Sequence, residues 1–250
     1  MEDRDVVRAF LETDPIATST VWDRVYQQPA YTDVRLDGLP PKAVLAMSPG
    51  RPGRGPAGIA LHATDVAAAR DLVGAIPAGP VFMHLTQEWA LALLELRAAE
   101  LQARPAWLHA LDPKDFVELQ RHEVRPIDPA WAGRIAQLWE PDWPSEAYVR
   151  RRIEAGPSAA VVVDGEPVAW AMTHHETPWV GMMGFLHVVE EHRGKGYAKS
   201  VGSALAKEIL RRGKVPALHV YADNVPSLRL SEKLGFHRVT RQVWGDAVLR

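Results

Sequence analysis

The sequence predicts a mixed α/β protein with a central, mostly antiparallel sheet flanked by helices. Three observations carry this. Apolar runs between residues 159 and 189 form a three-strand meander, folded at Asp164-Gly165. The hydrophobic period then lengthens to that of a helix over Ala198–Arg212, and a short strand, Leu218–Tyr221, follows. In the first half, short apolar runs at Ala43–Met47, Ile59–His62 and Val81–Leu85 alternate with helical patterns.

Each element has a local reason. Val6, Val7, Phe10 and Leu11 share one side of a short helix over residues 4–12. Asp65–Val73 reads as a helix. Gln87–Ala103, with Trp89, Leu91, Leu93, Leu94 and Leu96, predicts a longer one that ends before Pro105. Residues 48–56 are Gly- and Pro-rich and predict a loop. Val124–Pro126 reads as a strand entering a helix at Pro129–Trp139. Ser145 caps a second helix, Glu146–Glu154, ended by Gly156-Pro157. The meander strands are Ala159–Val163, Val168–His174 and Val180–Val189. Ala198, Val201, Leu205 and Ile209 share one face of the next helix, which Gly213 stops. Asp223 or Asn224 caps a last helix that runs to Leu234, and Thr240–Leu249 supplies one or two strands.

Composition bounds the function. The 250 residues are 47% hydrophobic and 24% charged, which excludes global disorder. The net charge of −2 argues against a nucleic-acid partner. The absence of cysteine removes disulfides, cysteine–zinc sites and a thiol nucleophile. No His-x-x-x-His pair is present, so no metal is expected. The acidic Met1-Glu2-Asp3-Arg4-Asp5 start is not followed by a signal-type apolar stretch. The apolar run Trp89–Leu94 stops at Glu95, short of the ~20 residues that span a bilayer. The expectation is a cytoplasmic protein without a membrane partner; a homodimer is compatible with the sequence.

Arg193-Gly194-Lys195-Gly196-Tyr197-Ala198 stands between the third meander strand and the long helix. Two glycines let backbone N–H groups approach a ligand, the helix start adds free N–H groups, and Arg193 and Lys195 add charge. That construction suits a pyrophosphate. It is not a P-loop, because no Gly-Lys-Ser/Thr closes the required spacing. Gly53-Arg54-Gly55-Pro56-Ala57-Gly58 matches a dinucleotide pattern but opens no helix.

The order strand, Arg-x-x-Gly-x-Gly/Ala loop, helix, short strand, Asn, helix, Gly-Phe resembles the GNAT superfamily of acyl-CoA N-acyltransferases. The matching residues are Val188, Glu191, Arg193, Gly194, Lys195, Gly196 and Ala198, then Asn224, Ser227, Leu230, Lys233, Leu234, Gly235 and Phe236. The resemblance covers residues 122–250. Pro167-Val168-Ala169-Trp170 and the helix pair Ala130–Glu154 look most like the glycine N-acyltransferase branch, in which a degenerate GNAT-like half precedes the catalytic half. It implies a degenerate domain at 1–120 and a catalytic domain at 121–250. It also implies acetyl-CoA or another acyl-CoA as cosubstrate and a small amine or amino acid as acceptor. His187, Val188 and Val189 would pair with the pantetheine arm. Arg193, Gly194, Lys195, Gly196, Tyr197 and Ala198 would hold the pyrophosphate. Asn224 and Ser227 would line the cofactor's other side. A non-catalytic acyl-CoA sensor and a protein or peptide acetyltransferase are the rival readings.

The acid and base are where the resemblance fails. The branch's glutamate position falls on Met182, which cannot take a proton, and Gly181–Leu186 holds no carboxylate. His174, His175 and His187 are the candidate bases, with Glu176 and a water relay behind them; a histidine's ordinary pKa of about 6.5 suits the task. Adjacent His174 and His175 point to opposite faces of a strand, and His187 has parity opposite to Met182 unless a bulge intervenes. The family's tyrosine acid position falls on Ser231. Trp139 and Trp170 read as core, and Trp143 or Trp179 as candidate walls of an acceptor pocket.

Overall fold

A computed structural model describes residues 2–49, 57–139, 141 and 145–250. In chain order the elements are α1 (Glu2–Leu11), α2 (Ser19–Gln27), β1 (Asp33–Leu36), β2 (Ala43–Ser48), β3 (Ala57–Ala63), α3 (Val66–Gly74), β4 (Gly79–Leu85), α4 (Leu91–Glu95) and β5 (Ala98–Ala110). Then come α5 (Ala132–Trp139), α6 (Glu146–Ala155), β6 (Ser158–Val163), β7 (Glu166–Glu176), β8 (Val180–Val188), α7 (Tyr197–Arg211), β9 (Val215–Tyr221), α8 (Val225–Leu234) and β10 (His237–Leu249). The chain divides into two compact units. One comprises Met1–Leu108, Val220–Asn224 and Val239–Arg250; the other comprises His109–His219 and Val225–Arg238.

In the first unit, β1, β2 and β3 are antiparallel neighbours and β4 runs parallel to β3. β10 pairs antiparallel with β4, and β5 lies beyond it. The two-residue strand period divides the core. Ala43, Leu45, Met47, Ile59 and Leu61 pack with Ala68, Ala69, Leu72 and Val73 of α3. Val44, Ala46 and Ala60 face the other way, onto Val7 and Leu11 of α1 and Val21 and Val25 of α2. Asp65 caps α3 by accepting from the Ala68 N–H at 2.9 Å, as its residue type favours.

The second unit repeats the order: two helices, three antiparallel strands, a helix and a parallel strand. β6, β7 and β8 form the meander, and β9 runs parallel to β8. Asp164 and Gly165 both take positive φ, 51° and 83°, as a two-residue hairpin turn requires. Ala159, Val161, Ala169, Ala171 and Met183 pack on Val201, Leu205, Ala206 and Ile209 of α7. Ala160, Trp170, Met172 and Phe185 pack on Ile135, Ala136, Val149 and Ile153 of α5 and α6.

One sequence expectation is corrected. The helix expected over Gln87–Ala103 is only α4 with a short 3-10 turn before it, and Ala98–Ala110 is strand. Gly245 of β10 is the physical reason a neighbour fits there: a Cβ would collide with the Gln102 carbonyl. Thr240–Leu249 forms part of a single strand. The loop expected at residues 48–56 falls mostly outside the described residues, though Ser48 ends β2; Ala57 and Gly58, the last positions of the dinucleotide-like pattern, begin β3.

Candidate functional site

The loop before α7 is shaped by its glycines. Gly194 and Gly196 take φ of 79° and 87°, a region costly for residues with a Cβ. A Cβ on Gly194 would meet nothing within 4 Å, so backbone conformation rather than space selects glycine there. Gly196 precedes the helix and provides no side-chain cap. The first backbone bond of this turn joins the Ser200 N–H to the Gly196 carbonyl. The N–H groups of Gly194, Lys195, Gly196, Tyr197, Ala198 and Lys199 therefore have no acceptor among the described residues. They gather at the positive end of a fifteen-residue helix.

The loop is held from behind. His122 Nε2 and the Lys195 carbonyl are 2.9 Å apart, and the His122 ring meets Tyr197 edge-on at 4.6 Å. His122 is fixed in turn by buried Ser200, whose Oγ accepts from the Arg121 and His122 N–H groups at 3.1 and 3.3 Å. Arg193 donates from Nε to the Val188 carbonyl at 3.3 Å, which ties the loop to the end of β8. Lys195 Nζ lies 3.4 Å from His192 Nδ1 and stays exposed.

β8 opens beside this loop. Its pairing with β9 ends at Met183↔Leu218, so among the described residues the β9-facing side of Gly184–Val188 has no strand partner. On the other side β8 stays on β7, but the register slips twice. Between the pairs Trp170↔His187 and Met172↔Gly184, Ala171 alone opposes Phe185 and Leu186. Between Thr173↔Met183 and His175↔Met182, His174 is the extra residue. Phe185 takes φ 54°, uncommon for a bulky residue, and lies on the face opposite to Met183, two positions away. Bulges of this kind re-aim side chains, and here they gather rings.

His174 lies in a half-buried aromatic cluster. Its ring centroid stands 4.4 Å from Phe185 and 5.7 Å from Trp139, and Nδ1 is 3.4 Å from the Tyr148 hydroxyl. A Cβ on Gly184 would strike the His174 ring, so glycine makes the room. Burial, with smaller contributions from His219 and Arg152, pushes the His174 pKa down to about 3. His187 stacks on Trp170 at 4.8 Å and 19°. Burial and then Arg193 lower its pKa as well.

The remaining expected positions resolve individually. His175 is buried opposite Met182. Glu176 forms ion pairs with Arg212 at 3.7 Å and Lys214 at 3.4 Å, a structural engagement. Met182, where the resemblance expected a carboxylate, is a buried core thioether. Ser231 is buried beneath α8: its hydroxyl donates to the Leu228 carbonyl and accepts from His109 Nδ1, both at 2.9 Å. Ser227 lies on the first turn of α8, partly exposed. Asn224 belongs with the first unit, where its N–H donates to the Tyr221 carbonyl at 2.9 Å. Tyr221 sits under the Arg104 guanidinium at 3.6 Å. Trp170 is fully buried as expected. Trp179 lies in the bend just before β8, six residues before the Phe185 bulge, and Trp143 lies outside the described residues. Sequence reasoning missed His122, Tyr148 and His109. Nothing local marked them, since each acts on a residue far along the chain.

The helix start of the first unit makes the contrast. The Asp65 carboxylate occupies the N-terminus of α3 and is held below the usual carboxylate range by the Ala68 N–H. No glycine loop precedes that helix. An anion would meet a carboxylate there, whereas at α7 it meets open N–H groups.

Known proteins resemble this chain in sequence pattern and fold. Residues 162–245, about a third of the chain, match the family model described as FR47-like protein. No curated protein matches the chain. Among solved structures, a GNAT-family acetyltransferase of Novosphingobium aromaticivorans is similar at 19% identity and TM-score 0.62, covering 92% of this chain and 97% of that one. A Drosophila protein is similar at 14% identity and TM-score 0.70, covering 99% and 96%. A GCN5-related N-acetyltransferase-like protein of Streptococcus suis is similar at 16% identity and TM-score 0.62, covering 98% and 99%. The coverage runs through both halves of the chain, so its fold, first half included, is the mixed α/β fold of these solved structures, two of which are described as GNAT or GCN5-related proteins.

Proposed function

We propose that this protein is an acyl-CoA-dependent N-acyltransferase that transfers an acetyl or other short acyl group to a small amine, with the chemistry in the second unit. The observation that carries the reading is the set of N–H groups of Gly194–Lys199, without an acceptor among the described residues, at the start of α7 beside the open edge of β8. Acyl-CoA supplies the activated acyl group as a thioester. Residues 193–199 hold its pyrophosphate by N–H donation, helped by the charge of Lys195. Gly184–Val188 offer strand-type donors and acceptors to its amide-bearing arm. The amine nitrogen forms the new bond to the acyl carbon, the carbon–sulfur bond breaks, and one amine proton must leave. The amine must be neutral to attack. With a pKa of about 8–10, roughly 0.1–10% is neutral at pH 7, so proton removal matters.

His174 and His187, both packed on rings of the α5/α6-side core, divide the work. His174 is neutral at any working pH and accepts a hydrogen bond that orients the amine. His187 keeps the stronger basicity and takes the proton. With no cysteine in the chain, the acyl group has no protein thiol to rest on, which supports direct transfer. The repeated element order, with a self-capped helix in the first unit, supports reading residues 1–120 as a degenerate copy and the chain as nearest the glycine N-acyltransferase branch. The rival reading, a non-catalytic acyl-CoA sensor, draws on Met182 and Ser231 standing buried where a base and an acid are expected.

The test is free-thiol release from acetyl-CoA and longer acyl-CoA esters over a panel of amines and amino acids. Turnover with an amine supports transfer, and tight binding without thiol release supports the sensor. Given turnover, His187→Gln is expected to remove the acidic limb of the kcat/KM profile. His174→Gln should lower the rate and leave that limb in place. An unchanged profile in His187→Gln would overturn its role as base.

A further inference from the structure

An irregular segment, residues 116–124, runs back along α7 toward its N-terminus. Its backbone donors are taken in turn. The Val117 N–H gives to the Leu234 carbonyl at 3.0 Å, Leu119 to Ser203 Oγ at 2.9 Å and Arg121 to Ser200 Oγ at 3.1 Å. Every second N–H points inward, the period of extended chain. Ser200 and Ser203 are fully buried and stand three apart on α7, so they share a face. Glu118 pairs with Lys207 at 2.8 Å, and Phe116, Leu119 and Val124 pack on the core that α7 shares. The segment is thus fixed by the helix whose start it reaches.

It reaches that start through His122. The Nε2 atom lies 2.9 Å from the Lys195 carbonyl. A carbonyl can only accept, so Nε2 carries the proton and donates. The half-buried ring stands edge-on to Tyr197 at 4.6 Å. The His122 backbone is held on both sides: its N–H gives to Ser200 Oγ at 3.3 Å, and its carbonyl accepts from Gln120 Nε2 at 3.2 Å.

Peptide geometry turns this contact into an aim. The Lys195 carbonyl and the Gly196 N–H belong to one planar trans peptide and point in opposite directions. Drawing the carbonyl toward His122 turns the Gly196 N–H away from it, to a side where it has no acceptor among the described residues. Gly196 has no Cβ to resist rotation of this peptide, so the hydrogen bond is what holds its direction. We propose that His122 is a positioning residue for the phosphate site, fixing the Lys195–Gly196 peptide with its N–H toward the anion. This role rests on the acyl-CoA reading, because it serves the same loop. It is specific to the pyrophosphate and does not extend to the amide-bearing arm along β8.

The test compares the wild type with His122→Phe and His122→Gln. Phenylalanine keeps a ring against Tyr197 and loses the donor, whereas glutamine keeps an N–H donor. Calorimetric titration with CoA should show affinity lower by roughly tenfold or more in His122→Phe, and within about threefold of the wild type in His122→Gln. In thiol release, His122→Phe should raise the KM for acetyl-CoA by more than it lowers kcat. Its kcat/KM for S-acetylpantetheine, the same thioester without the pyrophosphate, should match the wild type, a result that general damage to the fold would not give. Wild-type CoA binding with equal affinity in His122→Phe would overturn the role of His122 and leave the acyl-CoA reading standing. Equal losses with the two thioesters, or no recovery in His122→Gln, would do the same. Absence of CoA binding by the wild type would overturn the acyl-CoA reading and this role with it.

Discussion

Gly196→Ala isolates the α7 loop when paired with Gly165→Ala. Both glycines sit at positive φ, 87° and 83°, and neither lacks room for a methyl group. The nearest atom to a Cβ on Gly196 is His122 Nε2 at 3.7 Å, and Gly165 has nothing within 4 Å. The backbone penalty is therefore alike, about 1–2 kcal/mol for an L-residue held in the left-handed region. For a chain of this length that lowers the melting temperature by about 2–8 °C in each variant. The ligand effect should differ. Relaxing Gly196 turns its N–H and the next ones away from an anion, and a hydrogen bond to a charged group is worth about 1.5–3 kcal/mol. At 1.4 kcal/mol per factor of ten, CoA affinity should fall by roughly 10–150-fold in Gly196→Ala. It should be unchanged in Gly165→Ala, which alters only the β6–β7 turn. Calorimetric titration with CoA and a thermal melt of each variant measure both quantities. Equal CoA affinity in the two variants would refute the reasoning that the N–H groups at this helix start bind the cosubstrate.

Acid should destabilise the fold through its enclosed histidines. Burial pushes His62 and His109 down to about 4. The unfolded chain takes up protons near the ordinary value of about 6.5 while the folded chain does not, so stability is full above that pH and falls toward pH 4. Each group contributes at most about 3 kcal/mol of this loss. Urea unfolding across that window should show a steep decline, and a flat profile would contradict it. Ser231→Ala should cost about 1–3 kcal/mol, because it strands the enclosed His109 Nδ1–H. A loss much smaller than that in urea unfolding would show the pair to be dispensable. His174→Gln and His187→Gln should separate in their pH–rate profiles as set out above.

Much of the second unit was legible because its signals are local. Asp164-Gly165 demands positive φ at two adjacent residues, and the structure has it. The Ala198–Ile209 face needs only a period of 3.6, and those residues do line the core of α7 apart from the half-exposed Ala198. The loop glycines were legible for the same reason. What the sequence hid depends on distant partners. Ala98–Ala110 is rich in helix formers, yet pairing against β10 overrides propensity. Even Pro105 sits within that strand, which local rules disfavour. The slips at His174 and Phe185 leave no periodic mark, because one residue added to a strand resembles ordinary alternation until its partner is known. The parity rule therefore set His187 opposite Met182, and only the Phe185 bulge could change that. The Ser231–His109 contact joins residues 122 positions apart, beyond any spacing argument.

Hydrogen exchange with and without CoA tests the central claim most directly. The amides of Gly194 through Lys199 have no acceptor among the described residues, so they should exchange fast in the free protein. Saturating CoA should slow them strongly, together with amides on the open side of Gly184–Val188, and should leave the start of α3 behind Asp65 unchanged. Protection confined to other segments, or none at saturation, would contradict the account.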